Sequence, residues 1–436
     1  MSRASSLALT VSLLLLTAAT VQPSLGADEA ESAEQKRMHA SVSVEVQHSD
    51  ESNSGSKSTN AGLDASNSSA ASNAASAATT SSTTNGATAD SASPAGAEAT
   101  GTDKKRKLTP AEKATAAAIS ATLITQPGIV REEESDIGKK LTLPVTSLKK
   151  ADVPTRGIIL AIHGATLYGD TYNSVAQHWA SEGFPVYAMD MRGYGRWRFQ
   201  NEKYHSDTGV HYTETREDIV KVLEALKQEY PDTPIFCVGE SLGSNMAIWT
   251  AADRPDLLDG AILSSPCVKQ AVHPRPRWIA DFIHGLRRPY EAMSIKPYID
   301  PYLSEDKRVT AAYLADPLIN RYLSAADLIK SMRTNQWSIR DAHKIPANMP
   351  MLVVAGKKDK IYRADAIPEM VKNLGTHNVE VHVEPTKGHL LLETKYFDQA
   401  TLDKIDSWLT ANLATLAKLS KPEKISESNH AIVPIP

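Results

Sequence analysis

The stretch Pro234-Ile-Phe-Cys-Val-Gly239-Glu240-Ser241-Leu242-Gly243-Ser-Asn-Met-Ala-Ile-Trp-Thr-Ala-Ala252 decides how the chain is read. Its centre fits Gly-x-Ser-x-Gly. The apolar run before it has strand character, and the run after it reads as a buried helix. Strand, sharp turn, helix is the setting of a nucleophile elbow. The flanking glycines have a steric reason, since a Cβ on either neighbour would crowd a strained turn. Such a turn lifts the Ser241 hydroxyl clear of the sheet at a helix N-terminus. Two glycines around a serine also recur by chance, so the rest of the chain must supply a context.

That context begins near residue 138. Lys140–Val145 is expected as an early strand. Gly157–Ile162 is a continuous apolar run, as in a strand covered on both faces. Tyr172–Glu182 reads as a helix, Pro185–Met189 as a strand and Glu214–Glu229 as an amphipathic helix. Gly260–Ser265, Met351–Ala355 and Val379–Val383 are further strands, and Leu402–Leu416 is a closing amphipathic helix. Repeated β-α alternation predicts an α/β fold: a mainly parallel, doubly wound sheet with helices on both faces. Residues 268–345 break the pattern. They show no convincing strand but carry many large apolar side chains, among them Trp278, Ile279, Phe282, Leu286, Tyr313, Leu328, Met332 and Trp337. The segment is too apolar for a loose loop and is expected to be an inserted helical lid over the strands' C-terminal edge, where open α/β sheets bind ligands.

The flanks differ in composition. Residues 1–26 resemble a cleaved secretory signal: Arg3, an apolar run from Leu7 to Ala19, then Ser24-Leu25-Gly26. The run is shorter than the ~20 residues of a spanning helix, so a cleaved signal is preferred over an anchor and a secreted or periplasmic protein is expected. Residues 27–109 are rich in Ser, Ala, Thr and Asn, bury too little apolar surface to offset their ordering entropy, and read as a flexible region. The domain is expected over 110–419, opening with a small helix at 110–124, and 420–436 reads as a flexible tail. A net charge of −4 gives no sign of nucleic-acid binding. The two cysteines, Cys237 and Cys267, fall at different heights on neighbouring strands and are expected to be free and buried. No metal site, nucleotide loop or other cofactor signature is present, and oligomeric state is not legible.

A serine hydroxyl needs a base, a group that orients the base, and donors for an oxyanion. His389, after a strand and a turn with Pro385 and Gly388, is the candidate base among 13 histidines. His163 is its competitor, but its place just after a strand suits shaping of an oxyanion loop. Asp359 is the candidate acid, with Asp365 as substitute. A carboxylate there would hold the imidazole tautomer and stabilise the imidazolium. The order Ser241, Asp359, His389 suits an elbow-type hydrolase. The backbone N–H groups of Leu242 and Ala165 are candidate oxyanion donors, and His163, Tyr168 and Glu240 are candidate site-lining residues.

His163-Gly164, Asp190-Met-Arg192-Gly193-Tyr-Gly195, Gly239-Glu-Ser241-Leu-Gly243, Ser265-Pro266, Asp316-Pro317, Gly356-Lys-Lys-Asp359 and Gly388-His389 together resemble the α/β-hydrolase superfamily. Within it they are similar to the branch of monoacylglycerol lipases and lysophospholipases, the serine aminopeptidase domain type. The resemblance spans about 138–417. It implies the Ser241-His389-Asp359 triad, a structural role for the Asp190 motif, and hydrolysis of a small-molecule acyl ester such as a lysophospholipid or monoacylglycerol. Aminopeptidase or thioesterase chemistry uses the same triad. A non-catalytic binding module would be expected to have lost one of the three residues, and a dehalogenase would want aspartate at the elbow. The family's glyceride lipases carry Gly-Glu two residues after His-Gly, whereas this chain has Thr166-Leu167, which puts a glycerol ester in doubt. Arg275, Arg277, Arg287 and Arg288 near the start of the insertion could meet a phosphate or an anionic lipid surface, although such clusters are usually just solvated.

Overall fold

The apolar run ahead of His163 becomes strand β3 (Ile158–Ile162), buried along its whole length. Ile158, Leu160 and Ile162 join one apolar cluster, and Ile159 and Ala161 join another. Successive side chains of a strand point to opposite faces, so two cores on one strand leave no room for polar alternation. The computed structural model describes residues 126–271, 283–285, 287–299 and 301–419, with isolated positions between 109 and 123. The expectations for 1–26 and 420–436 lie outside these residues, as do those for all but Thr109 of 27–109 and for Arg275, Arg277, Trp278, Ile279, Phe282 and Leu286. Of the small helix expected at 110–124, the described positions 110, 111, 114 and 118 are helical.

Seven further strands complete the main sheet: β1 (Ile129–Glu132), β2 (Val145–Lys150), β4 (Val186–Met189), β5 (Ile235–Glu240), β6 (Gly260–Ser264), β9 (Met351–Gly356) and β10 (Val379–Glu384). Their order is β1-β2-β4-β3-β5-β6-β9-β10. The pairs from β4 to β10 are parallel, while β2 meets both β1 and β4 antiparallel. Helices cover both faces. On one lie α3 (Tyr212–Glu229), through Ile219, Val222 and Leu226, and α4 (Leu242–Asp253), which follows the elbow. On the other lie α2 (Asn173–Ser181), through Val175 and Trp179, and the closing helix α7 (Gln399–Leu419), through Leu402, Ile405 and Trp408.

The expected strand at Lys140–Val145 is corrected. Ser135 Oγ accepts the Gly138 N–H at 3.0 Å and caps helix α1 (Asp136–Leu141). Asp136 in the first turn and Lys139 and Lys140 in the last suit the helix dipole. Thr142 then turns left-handed, and the strand starts only at Val145.

Between β6 and β9 the chain leaves the sheet. This insertion contains helices α5 (Lys307–Ala315) and α6 (Ala325–Asp341). It also holds two short antiparallel strands, β7 (Ala292–Ser294) and β8 (Tyr322–Ser324), where no strand was expected. Three-residue strands leave no periodic pattern in the sequence. Helix α6 starts with a capping box, Ser324 with Asp327, and packs on the elbow helix. There Asn245 Nδ2 donates to Ser338 Oγ at 2.9 Å, and Trp249 meets Trp337 at 6.0 Å between ring centroids. Among the described residues no helix is long and apolar enough to cross a membrane.

Candidate active site

Strand β5 lies between β3 and β6, with Gly239 opposite Ile162 and Leu263. The elbow therefore stands near the middle of the sheet's C-terminal edge. Ser241 has φ 55° and ψ −120°, a strained conformation for a residue with a side chain. The glycines are demanded by close approach. A Cβ on Gly239 would lie 2.2 Å from the Gly243 backbone, and one on Gly243 would lie 1.9 Å from the Ile162 carbonyl oxygen. The turn is fastened by the Ser241 N–H to the Ser264 carbonyl at 2.8 Å, and by Ser244 Oγ to the carbonyls of Gly239 and Ser264 at 2.8 and 2.7 Å.

Asp359 follows β9 and His389 follows β10, so both reach the same edge. Asp359 Oδ2 lies 2.7 Å from His389 Nδ1, and both side chains are almost wholly buried. Asp359 Oδ1 accepts the N–H groups of Ile361 at 2.7 Å and Tyr362 at 3.0 Å, which fixes the carboxylate's orientation. The substitute acid Asp365 is exposed and paired with Arg363. Burial disfavours the His389 imidazolium, but the charge and hydrogen bond of Asp359, with Glu240 behind, outweigh it and raise the imidazole above its ordinary value.

The Ser241 hydroxyl faces Cys267, with Oγ 3.6 Å from Sγ, and makes no hydrogen bond to His389 in this conformation. Such contacts are often loose in unliganded enzymes and tighten with substrate. Both cysteines are free and buried. Burial pushes the Cys267 thiol up to about 12, so it stays neutral and does not compete as a nucleophile.

His163 is fully buried. Its Nε2 accepts the Met191 N–H at 2.8 Å, which leaves Nδ1–H to donate to the Gly164 carbonyl at 2.7 Å. Burial lowers its imidazole to about 4, so it is a neutral strut of the loop holding Ala165. The N–H of Leu242, at the first position of α4, has no acceptor among the described residues, as expected of a helix start. Asp190 accepts the N–H of Gly169 and both the N–H and Nε–H of Arg196, each at 2.8 Å, and is structural.

Tyr168 is buried, and its hydroxyl donates to Asp316 of the insertion at 2.8 Å. Thr166 has φ 75°. Its hydroxyl meets that of Tyr313 at 3.1 Å, and its carbonyl accepts the Asn320 N–H at 2.8 Å. Leu167 packs with Leu303, Val309, Ile319 and Leu390. The Thr166-Leu167 departure thus docks the insertion onto the loop after β3. The insertion also touches the base loop, where the Gly388 N–H donates to Glu305 at 2.6 Å and the Leu390 N–H donates to the Leu303 carbonyl at 3.1 Å.

Glu240, at the end of β5 just before the nucleophile turn, is fully buried. Its carboxylate accepts the N–H groups of Leu391, Leu392 and Glu393 and the Ser264 hydroxyl, at 2.6 to 3.2 Å. The x of Gly-x-Ser thereby holds the segment just past His389. Sequence reasoning missed Glu393, whose carboxyl accepts the Gly164 N–H at 2.8 Å. A lone glutamate closing the apolar run Leu390-Leu391-Leu392, four residues past His389, was the available signal.

The comparisons with known proteins bear on the fold and the family. The family model described as serine aminopeptidase, S33 matches residues 153–395, more than half of the chain. A monoglyceride lipase homolog of Monkeypox virus is 26% identical over 255 residues, covering 58% of this chain and 89% of that protein. The monoacylglycerol lipase of Mycolicibacterium smegmatis is 25% identical over 287 residues, covering 65% and 98%. The crystal structure of Paleococcus ferrophilus monoacylglycerol lipase superposes with TM-score 0.52 at 22% identity, covering 62% of this chain and 99% of that one, which shows the shared fold. A mostly parallel sheet, a strained Gly-x-Ser-x-Gly elbow and a family match that takes in the elbow and the sheet from β3 to β10 place the chain in the serine aminopeptidase S33 family of α/β-hydrolases.

Proposed function

We propose that this chain is an exported serine hydrolase of small carboxylic esters, with a monoacylglycerol- or lysophospholipid-like acyl substrate. Ser241 attacks the acyl carbonyl and His389 takes its proton. Asp359 holds the imidazole with Nδ1–H towards itself and stabilises the imidazolium. The N–H groups of Leu242 and Ala165 receive the oxyanion. His389 then protonates the leaving alcohol, and water releases the acid by the same route. The observation that carries this reading is the buried Asp359–His389 pair at 2.7 Å on the sheet edge that carries the strained Ser241. The similarity to monoacylglycerol lipases supports the ester class. A panel of p-nitrophenyl esters and monoacylglycerols of increasing chain length tests it. Turnover of esters that peaks at an intermediate chain length is expected. Hydrolysis of aminoacyl amides with no ester turnover would redirect it to peptide chemistry.

In this reading the insertion acts as a lid. The exposed stripe of α6 supports contact with a lipid surface, since Leu328, Ile329 and Met332 are all exposed along it. Replacing both Ile329 and Met332 by serine is expected to weaken binding to phosphatidylcholine vesicles at least about 10-fold, since each buried side chain of this size is worth roughly 1.5–3 kcal/mol. Co-sedimentation measures this, and unchanged binding would remove the surface from the account. Export rests on the signal-like residues 1–26. Deleting them should leave the protein in the cell fraction, and unaltered secretion would refute that role.

A further inference from the structure

Thr171 has one hydroxyl proton and two short contacts. Its Oγ1 lies 2.6 Å from the Tyr168 carbonyl oxygen and 2.7 Å from Glu393 Oε1. A single proton divided between two acceptors makes two weakened bonds, whereas a proton on each contact makes two full ones. The Tyr168 carbonyl has no proton to give, but a protonated Glu393 has, and it sits buried against a second carboxyl, Glu240, with no cation beside it among the described residues. We propose that Glu393 is a neutral carboxylic acid in the folded protein and a positioning residue for the oxyanion loop. Its Oε1–H donates to Thr171, whose hydroxyl donates to Tyr168, while Oε2 accepts the Gly164 N–H at 2.8 Å.

The neighbouring carboxyl shows the contrast. Glu240 meets only donors: three backbone N–H groups and the Ser264 hydroxyl. A surrounding made of donors alone calls for an ionised carboxylate, which only accepts. Glu393 sits on Glu240 through its own N–H at 2.8 Å, so the two buried carboxyls are adjacent and only one need be charged. The groups facing Glu393 do not offer a compensating cation. Tyr172 is neutral and bonded to the Ile162 carbonyl, His163 is neutral in a fixed tautomer, and His389 is paired with Asp359. Burial first, and the Glu240 charge second, accordingly push the Glu393 carboxyl well above its ordinary range.

The clamp lies against the reacting centre. A Cβ on Gly164 would lie 3.0 Å from Glu393 Oε2 and 3.3 Å from Ser241 Cβ. Gly164 is therefore held between the acid and the nucleophile, one residue before Ala165. Glu240 and Glu393 together tie the elbow, the loop after β3 and the segment past His389 into one hydrogen-bonded unit.

The test compares Glu393→Gln with Glu393→Ala in the full chain. Glutamine reproduces the protonated acid: its amide donates to Thr171 and its carbonyl accepts from Gly164. It should keep kcat near wild type, whereas alanine should lower kcat about 10- to 100-fold with little change in KM, circular dichroism confirming the fold of both. This arm rests on the ester-hydrolase reading. A second arm needs no substrate. A carboxyl raised in the folded state stabilises the protein below its unfolded value of about 4.3, and that contribution is lost as pH rises towards the folded value. The melting temperature of Glu393→Gln should therefore gain on wild type as pH rises from about 5 to about 8. A constant gap, or a glutamine variant as impaired as the alanine variant, would overturn the proposal.

Discussion

Ser241→Ala is expected to lower kcat on the order of a million-fold, the loss seen when a triad nucleophile is removed alone. The change should act on chemistry and spare the fold. Alanine keeps the Cβ, so the strained backbone at φ 55° is no worse accommodated than with serine. Among the described residues the hydroxyl's one hydrogen-bonding contact is with Cys267 at 3.6 Å, and the hydrogen bonds that fasten the elbow run through the Ser241 N–H and Ser244, which the substitution leaves alone. No neighbour can take over. The Cys267 thiol stays neutral, and His163 is sealed in the loop after β3. Single-turnover kinetics on a p-nitrophenyl ester, with a melting curve beside them, measure both halves of the prediction. An active variant would mean that another group does the chemistry.

Asp359→Asn is expected to lower kcat by roughly 10⁴-fold, through the tautomer of His389. Asp359 Oδ1 accepts two backbone N–H groups, from Ile361 and Tyr362. An asparagine must turn its carbonyl oxygen to those donors, which leaves its NH₂ facing His389 Nδ1. The imidazole then carries its proton on Nε2 and cannot accept one from Ser241. The same substitution changes the pH profile. The base must be neutral to act, and Asp359 raises the imidazole above its ordinary 6.5 against the effect of burial. The acid limb of kcat/KM for the wild type should therefore titrate above 6.5, and in Asp359→Asn it should move down. A limb that stays in place would assign it to another group. The exposed Asp365, already paired with Arg363, is not expected to rescue the variant.

The sheet was legible because its central strands are buried on both faces. Ile158–Ile162, Ile235–Val238 and Met351–Ala355 are apolar throughout, and each is followed by a turn bearing Gly or Pro. The candidate triad was legible for a related reason, since each member sits just past a strand's C-terminal end. The errors lie where local pattern and tertiary contact disagree. Lys140–Val145 has strand-like alternation, but the Ser135 cap and the left-handed Thr142 make its first half helical. The hydrogen bond from the Tyr168 hydroxyl to Asp316, 148 positions away, likewise leaves no trace in local pattern. Glu240 and Glu393 are the sharpest case. Their roles depend on hydrogen bonds across more than 150 positions, which no spacing rule reaches.

The proposed chemistry stands on Ser241 as the nucleophile activated at this sheet edge. Treating the folded protein with a fluorophosphonate and mapping the adduct by peptide mass spectrometry tests it most directly. One covalent adduct is predicted, on Ser241, formed slowly in Asp359→Asn and absent in Ser241→Ala. An adduct elsewhere, or labelling that survives Ser241→Ala, would contradict the account.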